Sequence, residues 1–264
     1  MYTPKTVEEA EFLKHYDPGK FEKPSVTADV VLFTILRSAM HVLLIRRGGF
    51  PYKGCWAFPG GFVGMEESVD EAAARELSEE TGLSGIPVHQ FGTFGAVDRD
   101  PRMRVISVAY MAFLPAARLS AFAGYQEAQD RDLISAVAGD DAADAQFFEI
   151  RETVEGLAFI GPRNVLKEED LAFDHIEILK RALTMLKNRI DYTDDAFSFL
   201  NDQDFTIYEL QKVVETVKGR PENLTNFRRI FANKYLKTGL VVETGEKSTR
   251  DSRKPAATYR RLRS

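Results

Sequence analysis

One stretch of 23 residues constrains this chain more than any other. From Gly61 to Leu83 it reads GFVGMEESVDEAAARELSEETGL. Ser68 followed three residues later by Glu71 is a capping-box signature, and Gly82 sits where a left-handed cap ends a helix. The punctuation predicts a short helix over Val69–Thr81. On a helix, positions 76, 79 and 80 fall on one narrow face, so the carboxylates of Glu76, Glu79 and Glu80 are expected to converge. Such crowding is unfavourable for free glutamates, yet it makes an oxygen-rich pocket for a hard dication such as Mg²⁺. Arg75, four residues before Glu79 and eight after Glu67, is placed to neutralise and orient these acids rather than to move protons. An acidic run is more often a solvated helix face. That alternative leaves the Gly60-Gly61 turn, the arginine and the two capped ends in register unexplained.

The remainder of the first two-thirds reads as a mixed α/β module. Short aliphatic and β-branched runs at 27–35 and 41–46 are expected to be strands joined by a turn. GGFPYKGCWAFPGGF then has loop chemistry. Further strands are expected at 88–94, 104–114 and 146–150. Ile176, Leu179, Leu183, Leu186 and Ile190 recur at helical spacing, predicting an amphipathic helix within 171–190 that closes the module. DYTDDAFSFLNDQD follows as a linker, giving a first domain over 1–190 (core about 25–155), a linker at 191–203 and a second domain over 204–264.

Charge separates the two modules. Residues 204–264 carry 14 Lys and Arg against 7 Asp and Glu, whereas the rest of the chain is net acidic, so the −5 total conceals a basic C-terminal module suited to a polyanion. Thr206 and Glu209 form a second capping box before a helix ending at Lys218. A turn at Gly219-Arg220-Pro221 and a second helix over about 224–237 follow. Strands at 240–243 and 258–261 around the loop TGEKSTRDSRKPAA would complete a helix-turn-helix with a wing. Arg228 and Arg229 are placed to reach a groove, and Lys247, Arg250, Arg253 and Lys254 to meet phosphates. A solvated basic tail is the plainer alternative.

The other signals are weaker. In Asp98-Arg99-Asp100-Pro101-Arg102-Met103-Arg104, the three arginines could hold phosphate oxygens, stack on a base, or simply pair with the neighbouring aspartates. Asp140, Asp141 and Asp144 could supply a base for water. Tyr52, Trp56 and Phe58 could stack on a base or pin their loop to the core. His175 reads as a cap or a packed side chain and receives no catalytic role. The single cysteine, Cys55, excludes an intrachain disulfide and argues against a cysteine-based zinc site. With neither a signal-peptide pattern nor an apolar run long enough to span a bilayer, the chain is expected to be cytoplasmic, without membrane contact.

Gly61, Glu67, Arg75, Glu76, Leu77, Glu79, Glu80, Gly82 and Leu83 match every fixed position of the Nudix box, and the segment resembles Nudix hydrolases. VDRDPRMRVISVAY, AFDHIEIL, TIYELQKVVETVKGRPENLTNFRRIF and the final RKPAATYRRL extend the resemblance over nearly the whole chain. They point to the Nudix-related transcriptional regulators of NAD metabolism and their ADP-ribose pyrophosphatase relatives. The resemblance implies an α/β/α sandwich with a mixed sheet, followed by a winged helix-turn-helix domain. It also implies that Glu76, Glu79 and Glu80, with the Gly61 carbonyl, hold Mg²⁺, with Mn²⁺ as a possible substitute, for attack by water on a diphosphate. ADP-ribose, cleaved to AMP and ribose 5-phosphate, is the implied ligand, and a homodimer reading double-stranded DNA the implied assembly. The alternative implied role is a regulator whose Nudix domain chiefly senses such a ligand.

Overall fold

The computed structural model describes residues 2–121, 125–127, 132–134, 142–162, 164–201, 203–250 and 254–262. The first domain is built on β1 (Ser25–Leu36) and β2 (Ala39–Arg47), an antiparallel hairpin. Arg37 and Ser38 both have positive φ (50° and 60°), the backbone a two-residue hairpin turn requires. Side chains of β1 alternate between the faces of the sheet. Ala28, Val30 and Leu32 enter one core, while Val31 and Phe33 enter the other. A strand buried on both faces reads as a continuous apolar run, as this one does.

Two short strands, β3 (Trp56–Ala57) and β4 (Gly60–Phe62), pair with β2 and β1 and lead into the helix α1 (Val69–Thr81). Both sides of the Ser68/Glu71 capping box are formed, and Gly82 closes the helix at φ 72°. Next come β5 (Val88–Phe94), β6 (Val105–Leu114), the small hairpin β7 (Tyr125–Glu127) with β8 (Asp132–Ile134), then β9 (Ala142–Thr153), β10 (Gly156–Ile160) and β11 (Val165–Leu166). The main sheet runs β11-β10-β9-β2-β1-β6-β5. Its β1–β6 pair is parallel and the other pairs are antiparallel, so the sheet is mixed. α1 covers one face through Ala72, Ala73 and Leu77. The helix α2 (His175–Arg189) covers the other through Ile178, Leu179, Ala182 and Leu186.

Three features differ from the sequence expectation. The strand expected at 146–150 extends over 142–153, because β2 pairs along its length. β10 and β11 lie in a stretch where periodicity was silent. The closing helix starts at His175, not Leu171: Leu171 forms a bridge with Trp56, and Phe173 adopts φ 54°, which no helix accommodates. Ahead of the sheet, the helix α3 (Val7–His15) buries none of its residues.

The C-terminal domain holds β12 (Asp204–Thr206), α4 (Ile207–Lys218), α5 (Leu224–Phe231), a π-helical turn at Ala232–Leu236, and the wing strands β13 (Val241–Ser248) and β14 (Ala256–Arg261). The strands form a sheet in the order β12-β14-β13. The helix-turn-helix and its Thr206/Glu209 capping box are as expected, whereas the wing strands run on into the stretch expected as loop, over residues 244–248 and 256–257, where β13 and β14 pair. Residues 191–203, expected to be a linker, contain a 3₁₀ helix at Asp195–Phe199 with Ala196 and Phe199 buried. Phe199 packs on Phe113 of β6 at 5.0 Å, and one apolar core runs from the α2 face of the sheet into the winged helix. Burying a large side chain of this kind contributes about 1.5–3 kcal/mol, so the two domains are not independent bodies on a loose tether. No helix among the described residues is long and apolar enough to cross a membrane.

Candidate active site and nucleic-acid interface

A cleft of about 410 Å³ opens where β1, β3, β4, α1 and the N-terminus of α2 meet. Gly60 and Gly61 form its edge because no side chain fits there. A Cβ on Gly61 would collide with the Glu76 carboxylate, and one on Gly60 with Ala28 and Asp29. The Gly60 amide donates to Glu80 Oε2 at 2.8 Å. Burial pushes the Glu80 carboxyl up to about 8, with the Glu76 and Asp29 charges adding to the effect against the Gly60 hydrogen bond. Glu76 is also raised, by burial, although Arg75 works the other way.

Arg75 clamps the acidic face. Its guanidinium donates to Glu67 at 3.0 and 2.7 Å, to Glu76 and Glu79 at 2.9 Å each, and to the Phe62 carbonyl at 3.3 Å. Bonded to that guanidinium, Glu67 is held down at about 2. Glu76, Glu80, Gly61 and Arg75 line the cleft. Glu79 does not: its side chain is 59% exposed and turned onto Arg75. Accordingly, no three His, Cys, Asp or Glu side chains among the described residues are grouped as a metal cage. The donors that do face the cleft suit a hard dication. They are two carboxylates whose charged forms are disfavoured, beside a glycine backbone that a Cβ would block.

The three arginines of the 98–104 loop have different roles. Arg99 is buried and grips Asp174 through two hydrogen bonds of 3.0 and 2.6 Å, tying the loop to the start of α2. Arg102 reaches the cleft, paired with Asp100 at 3.1 and 2.8 Å and lying over the rings of Phe62 and Phe173. Arg104 points elsewhere and donates to the Ala96 and Val105 carbonyls. Thus pairing with neighbouring aspartates, the plainer reading, holds for Arg102, and a longer-range pair engages Arg99. Asp144 bonds Gln146 and does not line the cleft, while Asp140 and Asp141 lie outside the described residues. Trp56 packs edge-on against Phe148 in the core, and Tyr52 rests on Phe173.

Sequence reasoning passed over Asp29, Arg47 and Phe173 and read His175 only as a cap or packed side chain, yet all four line the cleft. Asp29 carried a signal: an acid inside the apolar run TADVVLFTI, where burial is costly without a purpose. His175 is 3% exposed and stacks on Phe58 at an interplanar angle of 7°. Its burial lowers the ring's pKa and keeps it neutral.

On the C-terminal domain, Arg228, Arg229, Lys247 and Lys254 are exposed, with Arg229 also bonded to Asn226. Arg250 folds back onto its own domain, donating to the Asp204 carbonyl at 2.6 Å and approaching Glu209 at 3.4 Å. Arg253 lies outside the described residues. Lys234 donates to the Asp191 and Thr193 carbonyls at 2.8 and 3.0 Å, at the junction with the first domain.

The family model of the NUDIX domain matches residues 26–168, more than half of the chain. The chain belongs to the Nudix family. The model of the NrtR DNA-binding winged helix domain matches residues 196–261, so this Nudix protein carries an NrtR-type winged helix. It is 30% identical over 254 residues to the ADPR responsive transcriptional repressor NtrR of Acinetobacter baylyi, covering 96% of this chain and 88% of the relative. It is 36% identical over 157 residues to the ADP-ribose pyrophosphatase of Methanocaldococcus jannaschii, covering 60% of this chain and 72% of that one. Among solved structures, Shewanella oneidensis NrtR complexed with a 27mer DNA superposes with a TM-score of 0.67 at 28% identity, covering 90% of this chain and 93% of that one.

Proposed function

We propose that this Nudix protein is a DNA-binding regulator, acting as a homodimer, whose cleft takes ADP-ribose or a closely related nucleoside diphosphate derivative. The observation that carries this reading is α2. At one end, Asp174 and His175 belong to the cleft wall through Arg99 and Phe58. At the other end, some 22 Å away by helix rise, the chain is bolted to the winged helix. There Lys218 meets Asp191 at 2.6 Å, Arg261 meets Asp194 at 2.8 Å, and Lys234 takes the Asp191 and Thr193 carbonyls. A ligand that shifts the cleft wall therefore acts on an element already packed against the DNA-binding domain. The repressor named for its response to ADPR, alike over 96% of this chain, supports the same reading.

The complete box favours a second activity in the same cleft, Mg²⁺-dependent hydrolysis of the diphosphate to AMP and ribose 5-phosphate. Glu76, Glu80 and the Gly61 carbonyl would hold the cation, and Glu79 would join them by swinging off Arg75. The cation supplies Lewis acidity that offsets the diphosphate charge and makes water a better nucleophile. Arg75 orients the carboxylates, the Gly60 amide fixes Glu80, and Arg102 stands over the aromatic rings at the mouth, able to meet a phosphate or a base. Glu79 and Glu80 would be indispensable for turnover.

The test separates sensing from turnover. DNA affinity of the full chain is measured by fluorescence anisotropy with and without ADP-ribose, first in EDTA and then with Mg²⁺, while AMP is followed by chromatography. A ligand-dependent change of DNA affinity in EDTA supports the regulator, and AMP formed only with Mg²⁺ adds the hydrolase. DNA binding indifferent to ADP-ribose under both conditions refutes the regulatory reading.

A further inference from the structure

The floor of the cleft holds a second pair of polar groups, apart from the carboxylates of α1. Asp29 and His175 are 6% and 3% exposed, and both line the cleft. The backbone amide of Phe58 donates to His175 Nδ1 at 2.9 Å. An amide nitrogen can only donate, so Nδ1 is the acceptor and the proton of the neutral ring sits on Nε2. The tautomer is therefore fixed by the main chain, and the stack on Phe58 fixes the ring plane. His175 cannot serve as a base through either nitrogen in this state, but it presents one N–H.

Asp29 lies beside that nitrogen. Nε2 lies 3.9 Å from Asp29 Oδ1, too far for a hydrogen bond and close enough for one oxygen to sit within about 2.8 Å of both. The other carboxylate oxygen, Oδ2, is already engaged by the Ser107 hydroxyl, with Thr27 at 3.5 Å. Arg99, which approaches Asp29 at 3.9 Å, is committed to Asp174. A donor of fixed tautomer and a carboxylate oxygen thus lie 3.9 Å apart in the lining of the cleft, each on a side chain more than nine-tenths buried. The group that satisfies both is one whose oxygen donates and accepts at once, as water does and as a hydroxyl of a bound ligand can in its place. A phosphate oxygen would meet the Asp29 carboxylate unfavourably, and an ammonium would leave His175 without an acceptor.

We propose that Asp29 and His175 form a hydroxyl-reading subsite that takes a sugar hydroxyl of the bound ligand, His175 Nε2–H donating to its oxygen and Asp29 Oδ1 accepting its proton. The assignment rests on the nucleoside diphosphate reading of the cleft. It makes both residues specificity determinants beside the diphosphate chemistry. A site built to hydrogen-bond a hydroxyl rejects analogues that lack it, because two buried groups are then left unpaired.

The full chain, labelled with ¹⁵N, tests this directly, since only four histidines contribute ring signals. Long-range ¹H–¹⁵N spectra in EDTA should show His175 as the Nε2–H tautomer. ADP-ribose, ADP and 2′-deoxy-ADP are then added, with binding followed in parallel by calorimetry. A downfield shift and slowed exchange of the Nε2 proton with ADP-ribose but not ADP places the hydroxyl on the distal sugar. The same change with ADP but not 2′-deoxy-ADP places it on the nucleoside. Either result supports the subsite. Binding heat from ADP-ribose with the Nε2 proton unmoved would show a structural pair and overturn it. No binding heat from any nucleotide would instead sink the reading of the cleft, and the subsite with it. Asp29→Asn and His175→Ala should each raise the ADP-ribose Kd by about 5- to 20-fold, and His175→Gln, which keeps an N–H at the Nε2 position, should recover part of the loss.

Discussion

Replacing Glu80 by Gln should stabilise the metal-free protein at alkaline pH and abolish its response to Mg²⁺. In the folded chain the Glu80 carboxyl titrates near 8, against an ordinary 4.5, chiefly because it is buried. Between those values the folded state keeps a proton that the unfolded state has released. Stability therefore falls as pH rises from 4.5, and the loss is complete above 8. At about 1.36 kcal/mol per pH unit the ceiling is ~5 kcal/mol, and solvent reaching the open cleft reduces the expected loss to about 1–3 kcal/mol. Glutamine keeps an oxygen for the Gly60 amide and carries no charge. In EDTA the variant should match wild type at about pH 5 and exceed it by about 1–3 kcal/mol at about pH 8.5 in urea unfolding followed by circular dichroism. Mg²⁺ should reverse the order, because only the wild type gains a ligand that binds the folded state. A variant no more stable than wild type at the alkaline pH would refute the view that burial disfavours this carboxylate and prepares it for a cation.

Further substitutions address other parts of the molecule. Arg99→Met strands a largely buried Asp174 and should cost about 3–5 kcal/mol in urea unfolding, with much of the loss recovered on adding Asp174→Asn; a cost under about 1 kcal/mol would remove Arg99 from the scaffold. Gly61→Ala should drive the Glu76 carboxylate out of place, weakening Mg²⁺ binding by calorimetry at least ~10-fold, as expected when a ligand's support is lost, while the far-ultraviolet spectrum stays unchanged. Arg228→Ala, Arg229→Ala and Lys247→Ala should each lower the salt slope of DNA binding by about one, whereas Arg250→Ala, whose guanidinium is engaged by Asp204 and Glu209, should leave it unchanged. Phe199→Ala should cost about 3–5 kcal/mol by chemical denaturation, the value for a core aromatic rather than for a linker residue.

What sequence alone determined was local. The helix at Val69–Thr81, its capping box and its left-handed end were readable because a cap is a matter of residues three apart and one glycine without a Cβ. The same holds for α4, and the alternation of β1 and β2 follows from side chains that must enter a core. The set Glu76, Glu79, Glu80 and Arg75 was legible because helical geometry projects fixed spacings onto one face. Only the tertiary structure decided which of those carboxylates face the cleft, since Arg75 and the Gly60 amide draw Glu79 and Glu80 in different directions. It also decided that Arg99 belongs to Asp174, 75 residues away, and that Lys234 and Phe199 join the domains. Asp29 and His175 meet only because β1 and the start of α2 close on the same cleft, and no periodicity encodes an encounter between segments so far apart in the chain. Spacing fixes what a helix or strand presents; packing between distant segments fixes what each side chain finds there.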